Sequence, residues 1–168
     1  MNLKCTKKLS DKLKIKNLKT SEETRDKDIE NWHCNILDYG KIYGVLITND
    51  KTLFSFYLFG YKASDFKHFT EIIKEDIFKL MVNSGFKQKQ FEVILESMEN
   101  IIFSKNDNRG ILASMNQMLP AIHHGLEQQK NLLDINMGLN DMPNSKLDWK
   151  KPREEFESLL NTYTNRYN

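Results

Sequence analysis

The sequence predicts an α+β domain: an antiparallel β-meander of about three to five strands packed against several helices, one of them long. Three observations lead there. Trp32–Asp38, Lys41–Thr48 and Thr52–Phe59 are consecutive runs rich in β-branched and aromatic residues, separated by short turn segments. After Gly60 the apolar spacing changes to a helical period. Strands come first and helices later, without the alternating rhythm of a βαβ protein.

The elements follow in order. Leu3 to Thr6 is short and extended, and Thr6 is placed to cap a helix that begins at Lys7 and carries Leu9 and Leu13 four apart. Residues 20–31 are almost wholly polar and read as a linker. In the first long strand, alternation sends Trp32, Cys34 and Ile36 to one face and His33, Asn35 and Leu37 to the other. The third run is apolar on both faces, as a strand covered on both sides would be. Ser64 is placed to cap a helix bearing Phe66, Phe69, Ile73, Ile77 and Leu80, which ends near Gly85. Phe91, Ile94, Leu95 and Met98 mark a second helix, and Ile101–Ser104 a short strand able to join the sheet edge. A long helix then runs from about Arg109, bent at Pro120, to Gly138; residues 138–149 form a loop, and Pro152 opens a final helix.

Composition sets outer limits. A chain of 168 residues, 39% hydrophobic and 29% charged, suits one domain that buries a core without disulfides or structural metal. The net charge of +2 hides a division: residues 1–20 hold seven lysines and one acid, whereas the rest is mildly acidic. The domain thus spans 1–168, with a basic N-terminal segment at 1–19 and the linker at 20–31. Arginine occurs only at positions 25, 109, 153 and 166, so bidentate recognition of phosphate or guanine is disfavoured. The first ten residues lack an apolar signal region, and no stretch is long enough to span a membrane. Cys5 and Cys34 form no CxxC, which fits buried, reduced thiols and a cytoplasmic location.

The chain lacks P-loop, GxGxxG, HExxH, EF-hand and GxSxG motifs, which excludes P-loop, Rossmann, zincin and α/β-hydrolase chemistry. No cofactor, metal or catalytic constellation is predicted. His123 and His124 project about 100° apart on a helix and cannot jointly hold one metal. Residues 108–117, from Asn108 to Gln117, place Arg109, Ser114 and Asn116 near a helix N-terminus, where exposed N–H groups favour an anion.

These segments, in this order, resemble the bacterial DUF6933 family, a domain of unknown function. The resemblance runs through LKCTKKL, WHCNILD, KTLFSFYLFG, DFKHFTEIIKEDIFKLMVNSGF, NRGILASMNQM and GLNDMPNSKLDWKKPREEFESLL, and covers nearly the whole chain. Its most specific part is matched by Asn108, Arg109, Leu112, Ser114, Met115 and Asn116, and a Trp-x-x-Asn by Trp32 and Asn35. The sequence departs from the family pattern at Gly110, Ala113 and Gln117, and the turn at 38–41 lacks the family's paired arginines. Gln117 stands where a carboxylate could have served as base or metal ligand. The resemblance supports the element order and points to a site, without an activity.

The sequence therefore supports a small binding or regulatory protein with a polar pocket between sheet and long helix. Trp32, His33 and Asn35 would form the sheet wall; Arg109, Ser114, Asn116 and His123 would form the helix wall. Stacking on Trp32 and an anion on Arg109 would suit an anionic or nucleotide-like small ligand. Sequestration in a defence, anti-defence or toxin–antitoxin system is an extension of that reading, as are a protein partner and a homo-oligomer; a membrane is not expected. The alternative is a hydrolase or nuclease with a histidine general base and Arg109 stabilising an anion. A second alternative is a nucleic-acid-associated protein using the basic N-terminal arm, although nucleic acid is the disfavoured partner.

Overall fold

The computed structural model describes residues 1–18, 27–106 and 108–165. Five strands form one sheet: β1 (Asn2–Cys5), β2 (Asn31–Asp38), β3 (Tyr43–Asn49), β4 (Ser55–Tyr61) and β5 (Ile102–Lys105), in the order β4-β3-β2-β1-β5. The helices are α1 (Lys7–Lys12), α2 (Phe69–Asn83), α3 (Gln88–Ser97), α4 (Arg109–Glu127), α5 (Leu132–Asp141) and α6 (Pro152–Thr164). The α+β class holds.

The sheet is mixed rather than a pure meander. β2, β3 and β4 pair antiparallel in succession, as their short connections require, but β1 lies between β2 and β5 and runs parallel to both. This corrects the picture of a basic N-terminal arm. Residues 2–5 are an interior strand with every side chain buried, Lys4 included. Of the linker, residues 20–26 lie outside the described residues; Asp28–Glu30 is a short 3-10 turn and Asn31 already begins β2.

Alternation along β2 to β4 feeds two cores, one on each face of the sheet. Trp32, Cys34, Ile36, Val45, Ile47, Phe56 and Leu58 pack with residues of α2, α3 and α6. Leu37, Leu46 and Tyr57 pack with Met115, Met118 and Ile122 of α4 and Ile135 and Leu139 of α5. β4 is covered on both sides along residues 55–58, which is why both of its faces carry large apolar residues. In the first core, Trp32 stacks on Phe56 at 5.5 Å and meets the edge of Phe156, which itself stacks on Phe54 at 4.2 Å.

Two helix boundaries differ from the sequence reading. The long helix is two helices: α4 passes through Pro120 but stops at Glu127, where Gln129 turns into the left-handed region (φ 53°), and the Asn131 side chain accepts from the Asp134 N–H at 2.8 Å to start α5. α5 then continues to Asp141, taking the first four residues of the segment 138–149 read as loop. Gly125 lets the two helices close up, since a Cβ there would sit 2.7 Å from Ile135 Cγ1. Ser64 does not cap by its side chain; a 3-10 turn, Asp65–His68, leads into α2. The final helix opens on Pro152 as read.

Cys5 and Cys34 are register partners on β1 and β2, both free and buried in the first core. Burial pushes the Cys5 thiol up to about 12 and, together with the neighbouring Cys5, raises Cys34 well above the ordinary thiol range. Both thiols are therefore expected to be inert to Ellman's reagent in the folded protein at about pH 8, and to react once guanidinium unfolds it. A thiol that reacts in the native state at the rate of a free cysteine contradicts this packing.

Candidate functional site

The structure separates the seven residues expected to share a pocket. Trp32 is fully buried in the first core and donates its indole N–H to the Ile29 carbonyl at 2.7 Å, so it offers no face to a ligand. The reason is the two-residue period: it sets Trp32 on the opposite side of the sheet from His33 and Asn35. Asn35 is half-buried and accepts from the Thr6 hydroxyl at 3.0 Å. Arg109 and Asn116 are exposed on α4. His123 is also exposed, with its ring edge-on to Tyr39 at 5.8 Å, as is His124. Ser114 is buried, donates back to the Gly110 carbonyl and accepts from the Lys146 ammonium at 2.8 Å.

His33 belongs to a polar row that crosses the sheet. Ser104, Lys4, His33, Thr48 and Ser55 are successive register partners on β5, β1, β2, β3 and β4, all on one face and all buried. Asp50, just past β3, holds two of them: its carboxylate lies 2.5 Å from His33 Nδ1 and 2.6 Å from Lys4 Nζ. Thr48 and Ser55 hydroxyls bond each other at 2.8 Å, and the Ser104 hydroxyl donates to Asn2 Oδ1 at 2.8 Å. Burial acts to raise the Asp50 pKa, but hydrogen bonds and charge from His33 and Lys4 outweigh it and hold the carboxyl below its ordinary value. His33 Nε2 is buried without a hydrogen-bond partner. Lys4 and Asp50 were not singled out by sequence, because 46 residues separate them and only the pairing of β1 with β2 brings them together.

A cleft lies between α4 and the segment that joins α5 to α6. It encloses about 200 Å³ and is lined by Ser114, Gln117, Met118, Leu139, Met142 and Trp149, among others. Lys146 bridges its rim to α4, donating to Ser114 and to the Gly110 carbonyl. Asp148 and Trp149 both adopt left-handed backbone conformations, φ 53° and 65°, and the Trp149 N–H is tied to the Asn144 carbonyl at 3.0 Å. The indole is 73% exposed. Large aromatic side chains are costly to leave in water, so an exposed indole on a fixed turn marks a surface suited to contact. Trp149 and Lys146 fell within the segment read as loop; an isolated tryptophan among polar residues was the available signal.

Fold and site together describe a small α+β protein: a five-stranded mixed sheet covered by helices on both faces, with a fragment-sized cleft at the N-terminal half of α4. A family model described as Domain of unknown function (DUF6933) matches residues 2–155, from β1 into α6, and the chain belongs to that family. No curated protein and no solved structure matches the chain. Among the described residues, no helix is long and apolar enough to cross a membrane, and no three His, Cys, Asp or Glu side chains are grouped to hold a metal ion.

Proposed function

We propose that this is a cytoplasmic binding or regulatory protein whose ligand seat is the cleft between α4 and the α5–α6 connection. The observation that carries the reading is the exposed Trp149 indole facing a cleft that also holds Ser114 and Gln117, both within the motif segment 108–117. A volume of about 200 Å³ is smaller than the roughly 300 Å³ lower range of drug-sized pockets, so it suits a planar fragment such as a nucleobase or a single aromatic ring. Such a group would stack on Trp149 and find hydrogen-bond partners in Gln117, Asn144 and the Ser114 hydroxyl. Two buried, unpaired thiols support a reducing compartment.

Native mass spectrometry of protein purified from its own host tests this directly. Retained small-molecule mass in the native chain, lost in Trp149→Ala with the fold intact by circular dichroism, is the expected result. Retention of the same mass by Trp149→Ala would place the ligand elsewhere and defeat the reading.

One observation favours the hydrolase alternative: Asp50 orients His33 as an acid orients a general base. His33 is fully buried, however, and no substrate path reaches its free nitrogen through the described residues. Turnover of a nucleotide or oligonucleotide panel that disappears in His33→Gln would support that alternative; absence of turnover removes it.

A further inference from the structure

The two edges of the sheet are finished differently. At β4 the outward N–H and C=O groups of Ser55 and Tyr57 are occupied by the side chains of Asn140 and Asn136 on α5. At β5 they are open. The Ile102 and Asn106 N–H groups bond Met1 and Cys5 of the β1 side, so by alternation the N–H and C=O of Phe103 and Lys105 point away from the sheet. Among the described residues no strand pairs with that outer edge. An unpaired strand edge is a template for another strand.

A groove of about 630 Å³ runs between α2 and the end of α3 and reaches Ile101, the residue that leads into β5. Its floor is apolar, with Phe78, Leu95 and Ile101, and Phe78 is 38% exposed. Its walls carry Glu71, Glu75 and Glu99 against Lys74, and Lys105 stands exposed on the adjoining strand β5. Carboxylates thus dominate the groove while an exposed lysine stands on the open strand, and a two-fold axis can set these opposite signs of two copies against each other.

We propose that β5 is the seam of a symmetric dimer, in which β5 of one protomer pairs antiparallel with β5 of a second copy and extends the sheet across the two-fold axis. Antiparallel pairing carries each Lys105, at the C-terminal end of β5, toward the N-terminal end of the other strand. Glu99 stands there, two residues before Ile101. The lysine that would guard the edge against random pairing thus meets a carboxylate in this one arrangement. The grooves of the two copies then adjoin and bury Phe78 and Ile101.

Sedimentation equilibrium of the full chain reads the result. The expected mass is twice the 19.8 kDa of one chain. Lys105→Glu, an exposed substitution, is expected to raise the dimer dissociation constant roughly tenfold, since the symmetric seam loses two ion pairs at once. Adding Glu99→Lys to that variant restores the pairing with reversed charges. Amide exchange at Phe103 and Lys105 should slow as protein concentration rises. A chain that stays monomeric up to about 1 mM overturns the proposal, leaving the edge to a different partner. A dimer whose constant ignores Lys105→Glu and whose Phe103 and Lys105 amides stay unprotected overturns it too, by placing the interface elsewhere.

Discussion

Asp50→Ala is expected to destabilise the protein by about 3 kcal/mol, measured as a fall in the urea midpoint at constant slope. Lys4 keeps only 7% of its side chain exposed and Asp50 18%, so the substitution strands an ammonium group inside the second face of the sheet with no counter-charge among the described residues. The His33 imidazole loses its only side-chain hydrogen bond among the described residues in the same step. Removing one member of such a cluster costs more than the cluster contributes, because the charge left behind is not rehydrated. Lys4→Met with Asp50→Leu, which removes both charges, should therefore recover part of the loss, and the two changes should be strongly non-additive. The pH dependence has a definite sign. The folded-state pKa of Asp50 lies below its unfolded value, so its contribution is present above the unfolded value and is lost as pH falls through the folded one. Acid unfolding of the native chain should start there, and Asp50→Asn should flatten that limb of the curve. Additive single and double variants would show that the three groups are neighbours without being coupled.

The parts of the fold legible in the sequence are those whose signal is local. β2, β3 and β4 are long enough to alternate, and their turns are short, so antiparallel neighbours follow from the residues alone. β1 offers no such signal: four residues pair with partners about 29 and 100 positions away, and nothing nearby sets their direction. The break between α4 and α5 was hidden for another reason. It occurs in Gln128–Asn131, without glycine or proline, while the visible breaker, Pro120, sits inside an unbroken helix. For the site, Trp32 shows an inconsistency that the sequence itself could have exposed. The alternation that put His33 and Asn35 on one face necessarily put Trp32 on the other, and a single pocket could not use all three. Ser114 was found because it lies in a distinctive motif, whereas Trp149 and Lys146 reach it only through the packing of the α5–α6 connection against α4.

Asn136→Leu and Asn140→Leu are each expected to cost about 2–4 kcal/mol, although leucine has the same branching and number of side-chain heavy atoms as asparagine and both positions are buried. The cause is a coincidence of two repeats. Four residues of helix rise about 6.0 Å, and two residues of strand advance about 6.6 Å, so side chains four apart on α5 stand opposite residues two apart on β4. Asn136 accepts from the Tyr57 N–H at 2.7 Å and donates to its carbonyl at 2.8 Å; Asn140 does the same for Ser55, with 2.7 and 2.8 Å. Each amide also donates to the helix carbonyl four residues earlier, at Leu132 or Asn136. Two side chains thus replace the missing sixth strand. Leucine removes every one of these bonds and leaves a backbone N–H and C=O of β4 buried without partners, a loss that its added apolar surface does not offset. Asparagine to aspartate is the sharper variant. It keeps the shape and the acceptor but sets a second oxygen against the β4 carbonyl, so its cost should shrink when the carboxyl is protonated. Amide exchange locates the effect: protection at Ser55 and Tyr57 should fall in Asn140→Leu and Asn136→Leu respectively, ahead of global unfolding. If those amides keep their native protection, the edge of β4 is sealed by something other than the two asparagines.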